Sequence, residues 1–222
     1  MSDTRGVGAL LSGGLGRLAR DPGTVTLFVV LGTLPLLVDP GGTLATAFGY
    51  LHQLLVLYAA TVALLSAGEA RSFPSRLGVA LVRFPAVVPF GLALLVANAA
   101  VGYAAAQVVP TVFESVVPAL VVPVALYRLS LAPAAAVLDD SGTLRSARRS
   151  FDLTGEHRRT ALALVLVYAL VTGLAVAVET AGVLVGGQLA VAAGSAVAAF
   201  AGTLAVAPLA AAFGLLYRDA SA

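Results

Sequence analysis

The sequence predicts an all-α membrane protein with six spanning helices and short amphipathic helices on the cytoplasmic side. Of its 222 residues, 59% are apolar and only 11% are charged, whereas a soluble chain is typically about a quarter charged. The mean hydropathy of +0.99 is too high for a water-facing surface. Six long apolar runs also recur along the chain. The composition therefore excludes a soluble enzyme, a disordered segment and a nucleic-acid-binding module.

Each apolar run has the length of a membrane-spanning helix, which needs roughly 20 residues. The runs lie at about 23–38, 44–66, 86–108, 116–138, 161–181 and 189–216. Asp21 and Pro22 predict the start of the first helix, because Asp is a favoured N-cap and Pro a favoured first helical residue. Arg128 and Glu179 are the only charged residues inside the six runs. We expect residues 1–222 to form one integral membrane domain.

The placement of arginine predicts the orientation of these spans. All 13 basic residues are Arg, and 12 of them lie in the two terminal segments, the second-to-third connection and the fourth-to-fifth connection. The other three connections carry none. The positive-inside rule then puts both termini in the cytoplasm of a multi-pass cell-membrane protein. The N-terminal residues lack the pattern of a cleavable signal, so we expect the first span to insert directly.

Three amphipathic segments, at about 7–20, 73–84 and 142–154, precede the odd-numbered spans. The predicted apolar stripes are Val7, Leu11, Leu15 and Leu18 in the first, Leu77, Leu81 and Phe84 in the second, and Leu144, Ala147 and Phe151 in the third. Such helices lie in the membrane interface with the apolar face toward lipid. We therefore expect three interfacial helices on the cytoplasmic side.

The segment 139–159, DDSGTLRSARRSFDLTGEHRR, is the most distinctive part of the chain. Asp139 and Asp140 are expected near the start of the short helix, where negative charge is favoured, and Gly155 is the expected stop. One interpretation is a docking surface for a cytoplasmic protein or an anionic lipid headgroup, at roughly 1 kcal/mol per arginine near the membrane. The other is a positive-inside anchor of topology. The arginines that would act in either role are Arg145, Arg148 and Arg149.

This segment also resembles the signature loop of the membrane domain found with some glycerophosphodiester phosphodiesterases, and of its stand-alone prokaryotic and archaeal relatives. The matching residues are Asp139, Asp140, Ala147, Arg149, Ser150, Leu153 and Gly155. The six-span layout with interfacial helices is similar as well. The resemblance implies a fold and a membrane location. It does not imply catalysis, because no soluble stretch is long enough for the phosphodiesterase barrel.

Arg128 breaks the apolar pattern near the middle of the fourth span, where a charge costs several kcal/mol. Pro133 removes the amide that would bond the carbonyl of Leu129, so Arg128 could donate to carbonyls freed at that kink. Glu179 and Glu114 are candidate ion-pair partners. One interpretation is a substrate or ion site in a broken-helix transporter. The other is a buried pair that fixes helix register, or an arginine that snorkels.

The remaining residues point to no chemistry. The chain has no Cys, and its two His residues, His52 and His157, are far apart, so we expect no catalytic, metal or cofactor site. Small residues recur every four positions in the last two spans, which fits close packing between neighbouring helices or a homo-oligomer. The leading hypothesis is a non-catalytic scaffold or lipid- or partner-interacting module. The alternative is a small transporter or channel centred on Arg128.

Overall fold

The structure, a computed structural model, describes residues 6–37, 45–68, 72–110 and 113–222. The described residues form nine α-helices and no strand, which confirms the all-α fold class. The helices are α1 Val7–Ala19, α2 Pro22–Thr33, α3 Ala45–Ser66, α4 Phe73–Ala106, α5 Val116–Ala125, α6 Ala132–Leu138, α7 Thr143–Glu156, α8 Arg158–Val185 and α9 Gln188–Ser221.

Four of these helices are long and apolar enough to cross a membrane, and they contain the stretches Phe48–Ser66, Phe73–Ala106, Arg158–Val185 and Leu189–Ser221. A fifth candidate is the pair Val116–Ala125 and Tyr127–Leu138, which is bent by 62° at its break. The first predicted span falls on Pro22–Leu37, a shorter apolar helix. Several long apolar helices agree with the predicted membrane protein. The count of six spans stays a prediction.

The second amphipathic segment, 73–84, is not a separate helix, and this part of the sequence prediction is wrong. It forms the first part of α4, which continues without a break through Pro85 and Pro89 for 34 residues. Each proline removes one N–H donor, and its ring crowds the carbonyl group four residues earlier. Membrane helices tolerate such prolines where neighbouring groups satisfy the freed backbone. At 1.5 Å per residue, α4 is about 51 Å long, well beyond a hydrocarbon core of roughly 30 Å.

The first amphipathic segment forms α1, and its predicted apolar stripe is only partly exposed. Leu15 is 57% exposed, whereas Leu18 is buried in the bundle together with Leu10 and Gly14. Gly14 faces α9 so closely that a Cβ atom there would lie 2.6 Å from the carbonyl oxygen of Pro208. The missing side chain therefore allows the two helices to approach, and this contact sets the buried face of α1.

α9 packs against α1, α2, α3 and α8 and is the central helix of the bundle. Its contact with α8 depends on small residues, as the sequence predicts. A Cβ atom on Gly182 would lie 2.6 Å from the carbonyl oxygen of Ala190 and 3.1 Å from the Cα of Gly194. The two backbones thus approach directly, which is how small residues stabilise neighbouring membrane helices.

The predicted start of α2 is confirmed. The Oδ1 atom of Asp21 accepts a hydrogen bond from the N–H of Thr24 at 3.3 Å, and Pro22 is the first helical residue. One N–H that the helix leaves unpaired is satisfied in this way.

We expect Gly14→Ala to destabilise the protein by about 1–3 kcal/mol, because an added methyl group must displace the backbone of α9. Gly8→Ala in the same helix is the matched control, since its Cβ would meet no atom within 4 Å. That change should stabilise by up to about 1 kcal/mol through helix propensity. Thermal unfolding in detergent measures both. Equal effects of the two substitutions would contradict the described α1–α9 contact.

Candidate functional site

The fourth predicted span is broken next to Arg128. α5 ends at Ala125, a 3-10 turn covers Tyr127–Leu129, and α6 begins at Ala132. Pro133 lies in the first turn of α6, where its missing N–H costs no helical hydrogen bond. The break exposes backbone groups inside the bundle, and these need partners because lipid offers none.

Hydroxyl groups of α7 supply those partners. The Oγ atom of Ser150 donates to the carbonyl oxygen of Arg128 at 2.7 Å and accepts from the N–H of Leu131 at 3.1 Å. The hydroxyl of Thr154 lies 3.3 Å from the same carbonyl oxygen and donates to the carbonyl of Ser150 at 2.6 Å. Ser150 and Thr154 are both fully buried. Ser150 therefore bridges the break with hydrogen bonds that a continuous helix would make itself.

The guanidinium of Arg128 lies against the same helix. Its Nη1 atom donates to the carbonyl oxygen of Phe151 at 3.0 Å, and its Cζ lies 5.6 Å from the centre of the Tyr127 ring. A Cβ atom on Gly155 would be 2.8 Å from that Nη1 atom, so Gly155 leaves the space that the guanidinium occupies. We define these residues, Arg128, Ser150, Phe151, Thr154 and Gly155, as the α7 junction.

Two sequence predictions about these residues are wrong. Glu179 does not pair with Arg128; it accepts a hydrogen bond from Ser195 at 3.3 Å, between α8 and α9. Arg128 donates to the carbonyl oxygen of Phe151 in α7 instead. α7 continues past Gly155 to Glu156, so Gly155 does not end the helix. Its missing side chain instead leaves space for the guanidinium of Arg128.

Asp139 and Asp140 come at the end of α6 rather than at the start of α7, which corrects their expected place. The N-cap of α7 is Gly142, and it has no side-chain hydrogen bond. Asp139 accepts a hydrogen bond from the hydroxyl of Tyr217, and Asp140 lies 3.2 Å from the Nε atom of Arg83. The two carboxylates thus link the segment between α6 and α7 to α9 and α4.

The buried face of α7 is largely polar, and Leu144 and Phe151 of the predicted apolar stripe are exposed. The buried residues are Ser146, Ser150, Leu153 and Thr154. Leu144 is 81% exposed and Phe151 is 48% exposed. Arg145, Arg148 and Arg149 are also exposed. A signal for the buried face is present in the sequence, because Ser146, Ser150 and Thr154 recur every four residues and so share one side of a helix.

A second feature is an apolar groove of about 810 Å³ between α3, α4, α6, α8 and α9. On α3 it extends from Tyr50 to Leu64, which is about 21 Å at 1.5 Å per residue. Tyr50, Leu54 and Leu92 line it and are also exposed, so the groove opens on the surface of the bundle. We call this space the bundle groove.

The polar groups of the bundle groove are mostly turned to backbone. The amide of Asn98 donates to the carbonyl oxygen of Leu94 at 2.8 Å, and Thr61 donates to Leu57 at 2.9 Å. The Nε2 atom of His52 lies 2.9 Å from the carbonyl oxygen of Leu31 in α2, which is an interhelical contact. No Asp, Glu or Arg is among the described residues that line the groove. The Oγ atom of Ser130 is buried and has no partner within the described part of the chain.

Comparison with protein-family models, curated proteins and solved structures finds no match to this chain. The resemblance to the membrane domain of glycerophosphodiester phosphodiesterases therefore stays a prediction. Within the described ranges, no group of three His, Asp or Glu side chains could hold a metal ion.

We expect Ser150→Ala to destabilise the protein by about 1–3 kcal/mol, because it leaves the buried N–H of Leu131 without a partner and the carbonyl of Arg128 with only the longer contact to Thr154. Ser12→Ala is the control. Its hydroxyl also bonds a backbone carbonyl, that of Ala9 at 3.2 Å, but in an exposed position, so the change should stay within about 0.5 kcal/mol. Thermal unfolding in detergent gives both values. A neutral Ser150→Ala would mean that the α7 junction does not hold the break.

Proposed function

We propose that the chain is a non-catalytic, multi-pass membrane protein that binds a lipid acyl chain in the bundle groove. The groove itself is the observation that carries this proposal. Its volume of about 810 Å³ lies within the roughly 300–1,000 Å³ of ligand pockets. Its walls are helices that are long and apolar enough to lie in lipid. The molecules that surround such a groove in a bilayer are lipids, and an acyl chain matches its elongated, apolar shape.

The hydrogen bonds inside the bundle groove favour a hydrocarbon over an ion or a polar solute. A site for a polar ligand presents donors and acceptors that are free to bind it. Here Asn98, Thr61 and His52 each have one polar atom bound to a backbone carbonyl. The hydroxyl of Ser130 is buried and has no partner among the described residues, and it could bind one oxygen atom of a lipid.

Transport centred on Arg128 has less support. Arg128 is absent from the lining of the bundle groove, although Ser130 and Pro133 of the same broken span contribute to it. Its guanidinium donates to Phe151 at the α7 junction, which gives the charge a structural role. We therefore propose lipid binding rather than transport as the function of the chain.

We further propose the orientation that the arginines predict, with six crossings and both termini in the cytoplasm. In this arrangement α2 together with Leu34–Leu37 makes the first crossing, and the bent pair α5–α6 makes the fourth. α7 then lies at the cytoplasmic interface. Its exposed Leu144 and Phe151 would meet lipid chains, and its exposed arginines would meet anionic headgroups or a cytoplasmic protein.

Single cysteines test the orientation, and the chain has no native Cys to give background. Ser75→Cys and Asp152→Cys, both at exposed positions, should be protected in intact cells from an impermeant maleimide. Val185 is 79% exposed, and Val185→Cys should react. Permeabilised cells supply the control, because all three variants should then be labelled. Labelling of Asp152→Cys in intact cells would overturn the orientation.

A filled groove tests lipid binding. Ala199 lines the bundle groove, so Ala199→Phe should reduce retention of dioleoyl phosphatidylcholine at least tenfold, as measured by native mass spectrometry of detergent-purified protein. Ala193→Phe is the matched control, since the same change on α9 stands at an exposed position outside the lining. It should retain the lipid like the wild type.

Thermal unfolding of the two variants separates lost binding from lost folding. If both variants unfold at the wild-type temperature and both retain the lipid equally, the bundle groove is not the binding site and the proposal fails.

A further inference from the structure

The exposed side of α7 combines large apolar side chains with arginine. Leu144, Arg148 and Phe151 follow one another at intervals of four and three residues, so they lie along one side of the helix. All three are exposed. Ser150, which bridges the broken span, is buried on the other side. We call Leu144, Arg148 and Phe151, together with the adjacent and exposed Arg145, the α7 stripe.

The charge around the α7 stripe is mainly positive. Residues 143–159 carry five arginines and two carboxylates, those of Asp152 and Glu156. One arginine, Arg149, interacts with the hydroxyl of Tyr217. The other four are exposed and form no ion pair or hydrogen bond with a described residue; they are Arg145, Arg148, Arg158 and Arg159. The α7 stripe is therefore part of a cationic and partly apolar surface.

Two short connections hold α7 beside candidate membrane spans. Four residues, 139–142, join it to α6, and one residue, His157, joins it to α8. A chain extends by at most about 3.6 Å per residue, so neither connection lets α7 move far from the ends of those helices. Its buried hydroxyl groups also bind the break between α5 and α6. In the proposed membrane arrangement, α7 therefore stays at the bilayer surface, where lipid headgroups lie.

We propose that the α7 stripe binds the headgroups of anionic phospholipids. The inference rests on the proposed membrane arrangement and names the partner of this face. Leu144 and Phe151 fit the boundary between headgroups and acyl chains, as in other interfacial helices. Neutral lipids would satisfy these two side chains alone, whereas the guanidinium groups of Arg145 and Arg148 favour negative headgroups. An acidic protein would match the charge, but the apolar side chains on the same side of α7 and its short connections to the spans favour the bilayer.

Fluorescence can measure which lipids lie at the α7 stripe, because the chain has no Trp to give background. Leu144→Trp places a reporter next to Arg145 at a position that is 81% exposed. The variant is reconstituted in bilayers of dioleoyl phosphatidylcholine and dioleoyl phosphatidylglycerol, and one lipid at a time is replaced by its brominated form, which quenches nearby Trp. Brominated phosphatidylglycerol should quench with an apparent affinity about threefold or more above that of brominated phosphatidylcholine.

Matched variants separate the effect of charge from other effects. Arg145→Gln combined with Arg148→Gln should bring the ratio of the two apparent affinities close to one. Arg145→Lys combined with Arg148→Lys should keep the preference, since lysine carries the same charge. Leu184→Trp makes the same reporter change at an exposed position near the far end of α8 and should show no preference for phosphatidylglycerol. Both double variants should unfold at the wild-type temperature, because they change exposed side chains.

Equal quenching of Leu144→Trp by the two brominated lipids would overturn the proposal, as would a preference that persists in the double Gln variant. Saturable binding of polyglutamate to protein that shows no lipid preference would instead assign the α7 stripe to an acidic protein. The bundle groove is tested separately, because Ala199→Phe should leave the preference for phosphatidylglycerol unchanged. Cysteine labelling tests the orientation without reference to lipid charge. Failure of either part of the proposed function is therefore distinguishable from failure of this inference.

Discussion

The structure depends on one constraint: backbone groups at the ends and breaks of helices must find partners inside an apolar bundle. Side chains from distant helices meet this need at the end of α3. Arg17 of α1 donates to the carbonyl oxygen of Ser66 at 2.7 Å, and Arg218 of α9 donates to that of Ala67 at 2.6 Å. Arg83 of α4 binds the carbonyl of Val137, near the end of α6, in the same way. Positive charge is also favoured at a helix C-terminus. The arginines whose placement predicts the orientation of the spans thus also form hydrogen bonds between the helices.

The broken span obeys the same constraint and thereby sets the position of α7. Ser150 and Thr154 must face inward to reach the carbonyl oxygen of Arg128, and Ser141 donates to the carbonyl of Ala135 at 3.1 Å from the preceding connection. With its hydroxyl groups committed to the break, α7 has its remaining apolar residues, Leu144 and Phe151, on the outer side. An outer face that combines these residues with arginines is the composition of an interfacial helix. The same packing of α7 therefore satisfies the backbone at the break and leaves Leu144 and Phe151 on the outer face.

Much of the fold could be predicted from local pattern, since apolar runs, the Asp21 cap and the Pro133 break are properties of a few neighbouring residues. Which surfaces meet could not be predicted in the same way. In α1, the contact with α9 is made at Gly14, which lies outside the predicted apolar stripe, and no local pattern predicts it. The sequence offers an acidic partner for Arg128, whereas its guanidinium donates to the carbonyl oxygen of Phe151 in α7. Ser150 and Thr154 lie on the buried face of α7 because they reach the backbone of the broken span, a contact that the sequence alone does not show.

Hydrogen-bond partners also distinguish the roles of residues that look alike in the sequence. Arg83 and Arg128 donate to backbone carbonyls, and this accounts for them as parts of the scaffold. Asn98 likewise donates to its own helix, so this donor is not offered to the bundle groove. Arg76 differs, because it forms an ion pair with Asp21 and both side chains are almost fully buried. Removal of one member of such a pair leaves an uncompensated buried charge and strongly destabilises a protein. The Arg76–Asp21 pair therefore fixes the contact between the starts of α2 and α4.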